Sequence, residues 1–293
     1  MLGVHAARCV VVVALVAGCG AGSPAAGPVP GDRGDHPPTG GGPQGRVPQF
    51  VVECGFSHAA PDDPIVHPGH PGRSHLHTFF GNTAAGAAST AASLAATGGT
   101  TCDQQLDRAA YWAPALLDGG QPVTPTGAVA YYRPGVGVDP ATVDPYPFGL
   151  AMLAGDPVAD EAQPLDVVAW SCGTGSERSV TPPECPEGRP LRLAVAFPDC
   201  WDGRRLDSPD HRGHTARSEA GECPAGHPVP VPQLVLAISY PVAGGGHDLS
   251  LASGSSLTAH ADFLNAWDPA KLRTEVESCL RRGLTCGVAS TRP

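Results

Sequence analysis

Glycine and proline interrupt this chain so often that no long helix can run through most of it. There are 38 Gly and 33 Pro among 293 residues, spread along the whole length. Glycine weakens a helix through backbone entropy, and proline removes a donor and clashes with the preceding turn. Between these breakers lie short apolar runs: residues 50–52, 128–132, 150–153, 167–170, 191–197 and 234–240. In the 191–197 run the odd-numbered positions Leu191, Leu193, Val195 and Phe197 are all large and apolar. That is the alternation of a half-buried strand. Short strands separated by turn residues predict a mainly β domain of the β-sandwich or jelly-roll type.

Two segments read as helical. Residues 84–96 are alanine-rich, although Gly86 and many small side chains weaken the signal. Residues 268–281 give the stronger pattern. Asp268 suits the N-cap, Pro269 the first helical position, and Leu272, Val276 and Leu280 form one apolar stripe. Gly283 follows as a stop signal.

The chain opens with Arg8, an apolar run over residues 10–17, and then Val16-Ala17-Gly18-Cys19. The run is too short to span a bilayer and reads as a targeting segment. Its end resembles a bacterial lipobox. The expected organisation is a lipoprotein signal peptide over 1–18, a lipidated Cys19, a flexible Gly/Pro-rich tether over 19–46, and a β-rich domain over 47–293. This places the protein on the extracellular face of the membrane through its lipid. The alternative is an ordinary signal that releases a secreted protein.

Eight cysteines remain in the domain: Cys54, Cys102, Cys172, Cys185, Cys200, Cys223, Cys279 and Cys286. An even number in an exported chain favours disulfides. Sequential pairing is expected, each bridge closing a local loop and contributing about 2–4 kcal/mol. No CxxC motif supports a thiolate metal site. The formal charge is −10 and no dense basic patch occurs, which argues against nucleic acid as a partner. It also disfavours polyanions, unless a local arginine cluster overrides the overall field.

Histidine carries the chemistry. His75 and His77 are two apart, so on a strand they share a face, and His260 and Asp262 repeat the spacing. Neutral imidazoles in such a pair can ligate Zn²⁺ or Cu²⁺, supply a general base, or form a hydrogen-bonded structural pair. Asp210, His211 and His214 lie in a polar segment that must be a loop, where a carboxylate such as Asp207 can orient an imidazole. His67 and His70 are expected to face solvent, and His227 to pack on a disulfide beside Cys223. Tyr111, Trp112 and Trp267 are candidate sugar-stacking residues, with core packing as the alternative. No Gly-x-Ser-x-Gly nucleophile motif and no phosphate-cradling loop occurs.

Three long motifs resemble a known family. They are Asp63-Pro64-Ile65-Val66 with Gly72-Arg73-Ser74-His75-Leu76-His77-Thr78-Phe79-Phe80-Gly81-Asn82; Phe197-Pro198-Asp199-Cys200-Trp201-Asp202-Gly203, continuing through Asp210-His211 to His227-Pro228; and His260-Ala261-Asp262-Phe263-Leu264-Asn265-Ala266-Trp267. With Tyr111-Trp112-Ala113-Pro114, they resemble the secreted fungal and bacterial domain of unknown function nineteen ninety-six, over roughly residues 48–286. Fungal relatives are often joined to sugar-binding modules, so the resemblance implies association with polysaccharide or cell-envelope glycan. The functional expectation is an enzyme hydrolysing or eliminating on such a glycan, with His75, His77, His211, His214, His260 and Asp262 as its site and Asp210 among the substrate contacts. A non-catalytic carbohydrate-binding or envelope-scaffold lipoprotein and a metal-binding lipoprotein are the alternatives.

Overall fold

The computed structural model describes residues 47–242 and 246–287, with Gly3 alone before them. The expected signal segment, Cys19 and the tether lie outside the described residues. No described helix is long and apolar enough to cross a membrane.

Each of the six apolar runs forms a strand: Gln49–Cys54, Gly127–Arg133, Ala151–Gly155, Val168–Ser171, Leu191–Ala196 and Gln233–Tyr240. Five of these join Thr285–Cys286 in a six-stranded sheet. Its order is Thr285–Cys286, Gln49–Cys54, Gly127–Arg133, Gln233–Tyr240, Leu191–Ala196, Val168–Ser171. Only the first pair is parallel. A five-stranded antiparallel sheet has the order Phe56–Ala60, His77–Gly81, Ala110–Pro114, His260–Leu264, Ala151–Gly155. Fully buried Phe50, Tyr132, Leu193 and Leu236 of the larger sheet share one core with Tyr111, Met152 and Phe263 of the smaller. The fold is therefore mainly β, as the density of breakers predicts.

The smaller sheet is covered on both faces. Phe80, Tyr111 and Phe263 point into the shared core, while their neighbours Phe79, Trp112 and Leu264 point the other way. That second face is sealed by Ile65, Ala85, Ala91 and Leu94, all from the segment that flanks the His77–Gly81 strand. Of the alanine-rich stretch only Ala91–Ala96 is helical, with a reciprocal Thr90–Ser93 cap. Asp268 caps the second helix by accepting from the Lys271 amide at 2.9 Å. That helix runs Pro269–Glu275 and continues as a π-helical turn over Val276–Leu280. Leu272, Val276 and Leu280 are all buried, as their spacing requires.

The eight described cysteines pair sequentially: Cys54–Cys102, Cys172–Cys185, Cys200–Cys223 and Cys279–Cys286. The last ties the helix end to the edge strand of the larger sheet.

Candidate metal centre

His77 opens its strand and is completely buried. Across the sheet, His77 opposes Pro114, and Trp112 opposes both Phe79 and Asp262. Continuing that register brings His260 level with Pro114, so His77 and His260 flank one position of the central strand on the same face. Asp262 follows on that face two residues later. His75 lies just before the strand, its ring 4.2 Å from that of His77 and 5.1 Å from that of His260. One nitrogen from each of His75, His77 and His260 falls within 4.8 Å of the others. A second group of Asp63, His77 and Asp262 meets the same limit, and His77 belongs to both.

The backbone sets how the rings are presented. His77 Nδ1 lies 3.0 Å from the Asp62 carbonyl and His260 Nδ1 lies 2.8 Å from the Thr258 carbonyl. A carbonyl only accepts, so each Nδ1 carries its hydrogen and donates, which leaves Nε2 as a bare lone pair. The Nε2 atoms of His75 and His77 and Oδ2 of Asp262 are buried without any hydrogen-bond partner. Such orphans are uncommon because each costs about 1–3 kcal/mol. Here His77 Nε2 and Asp262 Oδ2 lie 4.0 Å apart, and the His75 ring lies 4.2 Å from that of His77.

The Asp62–Asp63 pair holds the covering loop. Asp62 accepts from the Gly72 and Ala87 amides through its two carboxylate oxygens. Asp63 accepts from the Ile65 and Val66 amides through Oδ1 alone. Asp63 is 4% exposed, and one of its carboxylate oxygens lies within 4.8 Å of ligand atoms of His77 and Asp262.

Electrostatics keep the imidazoles neutral. Burial, reinforced by His75 and His260, holds His77 well below the usual histidine range. Burial also lowers His75, and takes His260 down to about 4. Asp262 is pushed well above the carboxylate range, first by burial and then by Asp63. Burial thus disfavours charge on both His77 and Asp262, whose Nε2 and Oδ2 approach to 4.0 Å. A cation placed between them would reverse this and favour the ionised carboxylate.

A cleft of about 490 Å³ lined by Val66, Leu153, Asp156, His211 and Arg212 opens beside the cluster. Leu153 opposes Asp262 in the sheet, and Arg212 donates to the Gly155 carbonyl opposite His260. His211 holds a left-handed backbone, φ 56°, rare for a non-glycine residue. Its Nδ1 contacts the Asp207 carboxylate at 2.9 Å. Asp210 fixes this loop by accepting from Ser208 Oγ and from the Arg212 and Gly213 amides. Those hydrogen bonds, Ser208 foremost, hold its carboxyl well below the usual range.

Several sequence expectations are corrected. His214 is fully buried away from the cluster, bound by Ser208 Oγ at 2.9 Å and the Ala151 carbonyl at 2.7 Å, so both ring nitrogens serve the fold. Tyr111, Trp112 and Trp267 are 0% exposed and cannot stack on a sugar. Tyr111 and Trp267 instead join a buried chain: Trp267 Nε1 donates to the Tyr132 hydroxyl, which meets that of Tyr111, and Tyr111 donates to Asp107 at 2.6 Å. His67 is half-buried and close enough to depress His75 and His77, whereas His70 is exposed as expected. His227 bonds to the Gly213 carbonyl. Asp62 and Asp63 were missed as site residues, although Asp63 begins the first motif and two adjacent acids ahead of a His-x-His pair are a visible signal.

The fold and the cluster define a disulfide-stapled, mainly β domain of several sheets with a buried histidine–carboxylate cluster. The chain belongs to the family described as Domain of unknown function (DUF1996), whose model matches residues 63–267. That span begins at Asp63 and ends at Trp267, so it contains every residue of the cluster. No curated protein and no solved structure matches the chain.

Proposed function

We propose that His75, His77 and His260, with Asp262 and Asp63, form a Zn²⁺ or Cu²⁺ centre in an exported protein. The observation that carries this is the meeting of one nitrogen each from His75, His77 and His260 within 4.8 Å, with Nε2 of His77 and of His260 freed by Nδ1–H donation to backbone carbonyls. Metal-binding histidines are commonly oriented in this way, and both ions accept imidazole nitrogen. Three histidines leave a position for water or substrate, and a bound ion there would polarise an oxygen or lower the pKa of water. The cleft lined by Leu153 and Arg212 lies on the strand neighbouring Asp262 and His260.

The substrate class we propose is a polysaccharide of the cell envelope or surroundings, cleaved by hydrolysis or elimination. The family's association with sugar-binding modules supports this. The burial of Tyr111, Trp112 and Trp267 weighs against a stacking-type sugar-binding module. Export on a lipidated Cys19 fits the four disulfides and the lipobox-like start.

The test is elemental mass spectrometry on the full chain after loading with Zn²⁺ or Cu²⁺ and desalting. About one metal per chain is expected, and its loss in His77→Ala, which removes the residue common to both ligand groups. A folded wild-type chain that retains neither ion would overturn the assignment.

A further inference from the structure

A second cavity of about 490 Å³ shares no lining residue with the histidine cluster. It lies where the Gly127–Arg133 strand of the larger sheet runs into the 134–140 loop. Arg133, Arg178 and Arg217 line it together with Gln233, and Val47, Pro48, Val136, Val138 and Pro140 supply apolar walls. In a chain of 28 acidic and 18 basic residues, three arginines meeting in one hollow is a departure from the overall field.

Their partners are few. Arg133 donates to Gln233 Oε1 at 3.1 Å, Arg178 to the Leu165 carbonyl at 3.2 Å, and Arg217 to the Ala196 carbonyl. Among the described residues none of the three makes an ion pair. Each guanidinium carries five N–H donors, so most remain available. Asp166 also lines the cavity, and it and Asp199 attract Arg217 from beyond ion-pair distance. The Asp199 carboxylate is already committed to the Ser218 amide at 2.8 Å and the Ser218 hydroxyl at 2.6 Å.

The arrangement is costly as it stands. Arg133 and Arg217 are both half-buried, and Arg133 also feels the like charge of Arg178. Gln233, itself 7% exposed, fixes the Arg133 fork through its side-chain oxygen. Gly135 allows the loop to close on this region: a Cβ there would lie 1.6 Å from Asp199 Oδ2. Convergent forked donors around an apolar-walled hollow are how proteins bind carboxylate, sulfate or phosphate groups.

We propose that this hollow is a binding site for an oxyanion group carried on a small organic molecule. Arg133 and Arg217 would grip the anion, Arg178 would close over it from the exposed rim, and Val136 and Pro140 would meet the organic part. The site is independent of the metal centre and stands whether or not that centre binds an ion.

Isothermal titration of the full chain at low ionic strength tests it, with inorganic phosphate, sulfate and glucuronate as separate probes. Saturable one-to-one binding of at least one is expected, and the probe that binds identifies the anion class. Arg133→Gln and Arg217→Gln should each weaken it at least tenfold. Arg178→Gln, on an exposed side chain with little risk to folding, should weaken it severalfold. Arg73→Gln, an exposed arginine outside the cavity, should leave it unchanged. Absence of saturable binding for all three probes would overturn the proposal, as would equal binding by wild type and Arg178→Gln.

Discussion

Replacing Asp262 by valine should have opposite effects with and without metal. Asp262 is 1% exposed, and its Oδ2 is buried with no hydrogen-bond partner. An unsatisfied buried polar atom costs about 1–3 kcal/mol. Valine is similar in size, suits a strand interior, and would sit among Trp112, Leu153 and Leu264. In excess chelator the variant should therefore unfold about 1–3 kcal/mol harder than wild type, which for a domain of this size raises Tm by roughly 2–12 °C. In Zn²⁺ or Cu²⁺ at about 100 times Kd, wild type should gain about 2.7 kcal/mol by linkage. The variant, lacking a carboxylate ligand, should gain less, so the gap narrows or reverses. Thermal or urea unfolding of both proteins in both conditions reads this directly. A variant that is less stable than wild type in chelator would show that Asp262 has a structural partner and refute the reasoning. Equal metal stabilisation of the two proteins would remove Asp262 from the ligand set.

Metal retention should persist to lower pH than at an exposed histidine site. Protons compete for a ligand only near its pKa, and His260 lies at about 4, so the ion is expected to be kept at pH 6 and released toward pH 4, as equilibrium dialysis would show. Asp107 supplies a separate pH signal. Burial raises it to about 8 against the hydrogen bonds from Tyr111 and Ala109, so between about pH 4 and 8 the folded state binds the proton that the unfolded state has lost. Its contribution to stability is present below pH 4 and declines as pH rises to 8, by about 1.4 kcal/mol per unit. Asp107→Asn should flatten that slope in urea titrations at stepped pH, and an unchanged slope would place the cause elsewhere. Trp267→Ala should cost about 3–5 kcal/mol as a core truncation while leaving metal content intact. Loss of metal in a variant that remains folded would tie Trp267 to the centre.

Local chemistry made much of the fold legible in advance. The six strands follow from apolar runs cut by Gly and Pro, and the C-terminal helix from Asp268, Pro269 and the 272–276–280 stripe. Sequential disulfides follow from the tendency of nearby cysteines to meet. Half of the centre was legible in the same way, because a two-residue spacing puts His260 and Asp262 on one face of a strand wherever that strand sits.

What the sequence by itself determined, then, was element type, covalent closure and the pairs with chemical potential, since these depend on neighbours a few residues apart. Only the tertiary structure decided which pairs converge. The central Ala110–Pro114 strand sets His77 and His260 on either side of Pro114, and the loop held by Asp62 lays Asp63 and His75 over them. His214, in a segment as polar as that of His211, is turned inward to bind Ser208 and Ala151 instead. Tyr111, Trp112 and Trp267 go to the interior for the same kind of reason. A side chain's exposure depends on what packs over it, and here the covering groups come from strands and loops far away in the chain, which no local pattern records.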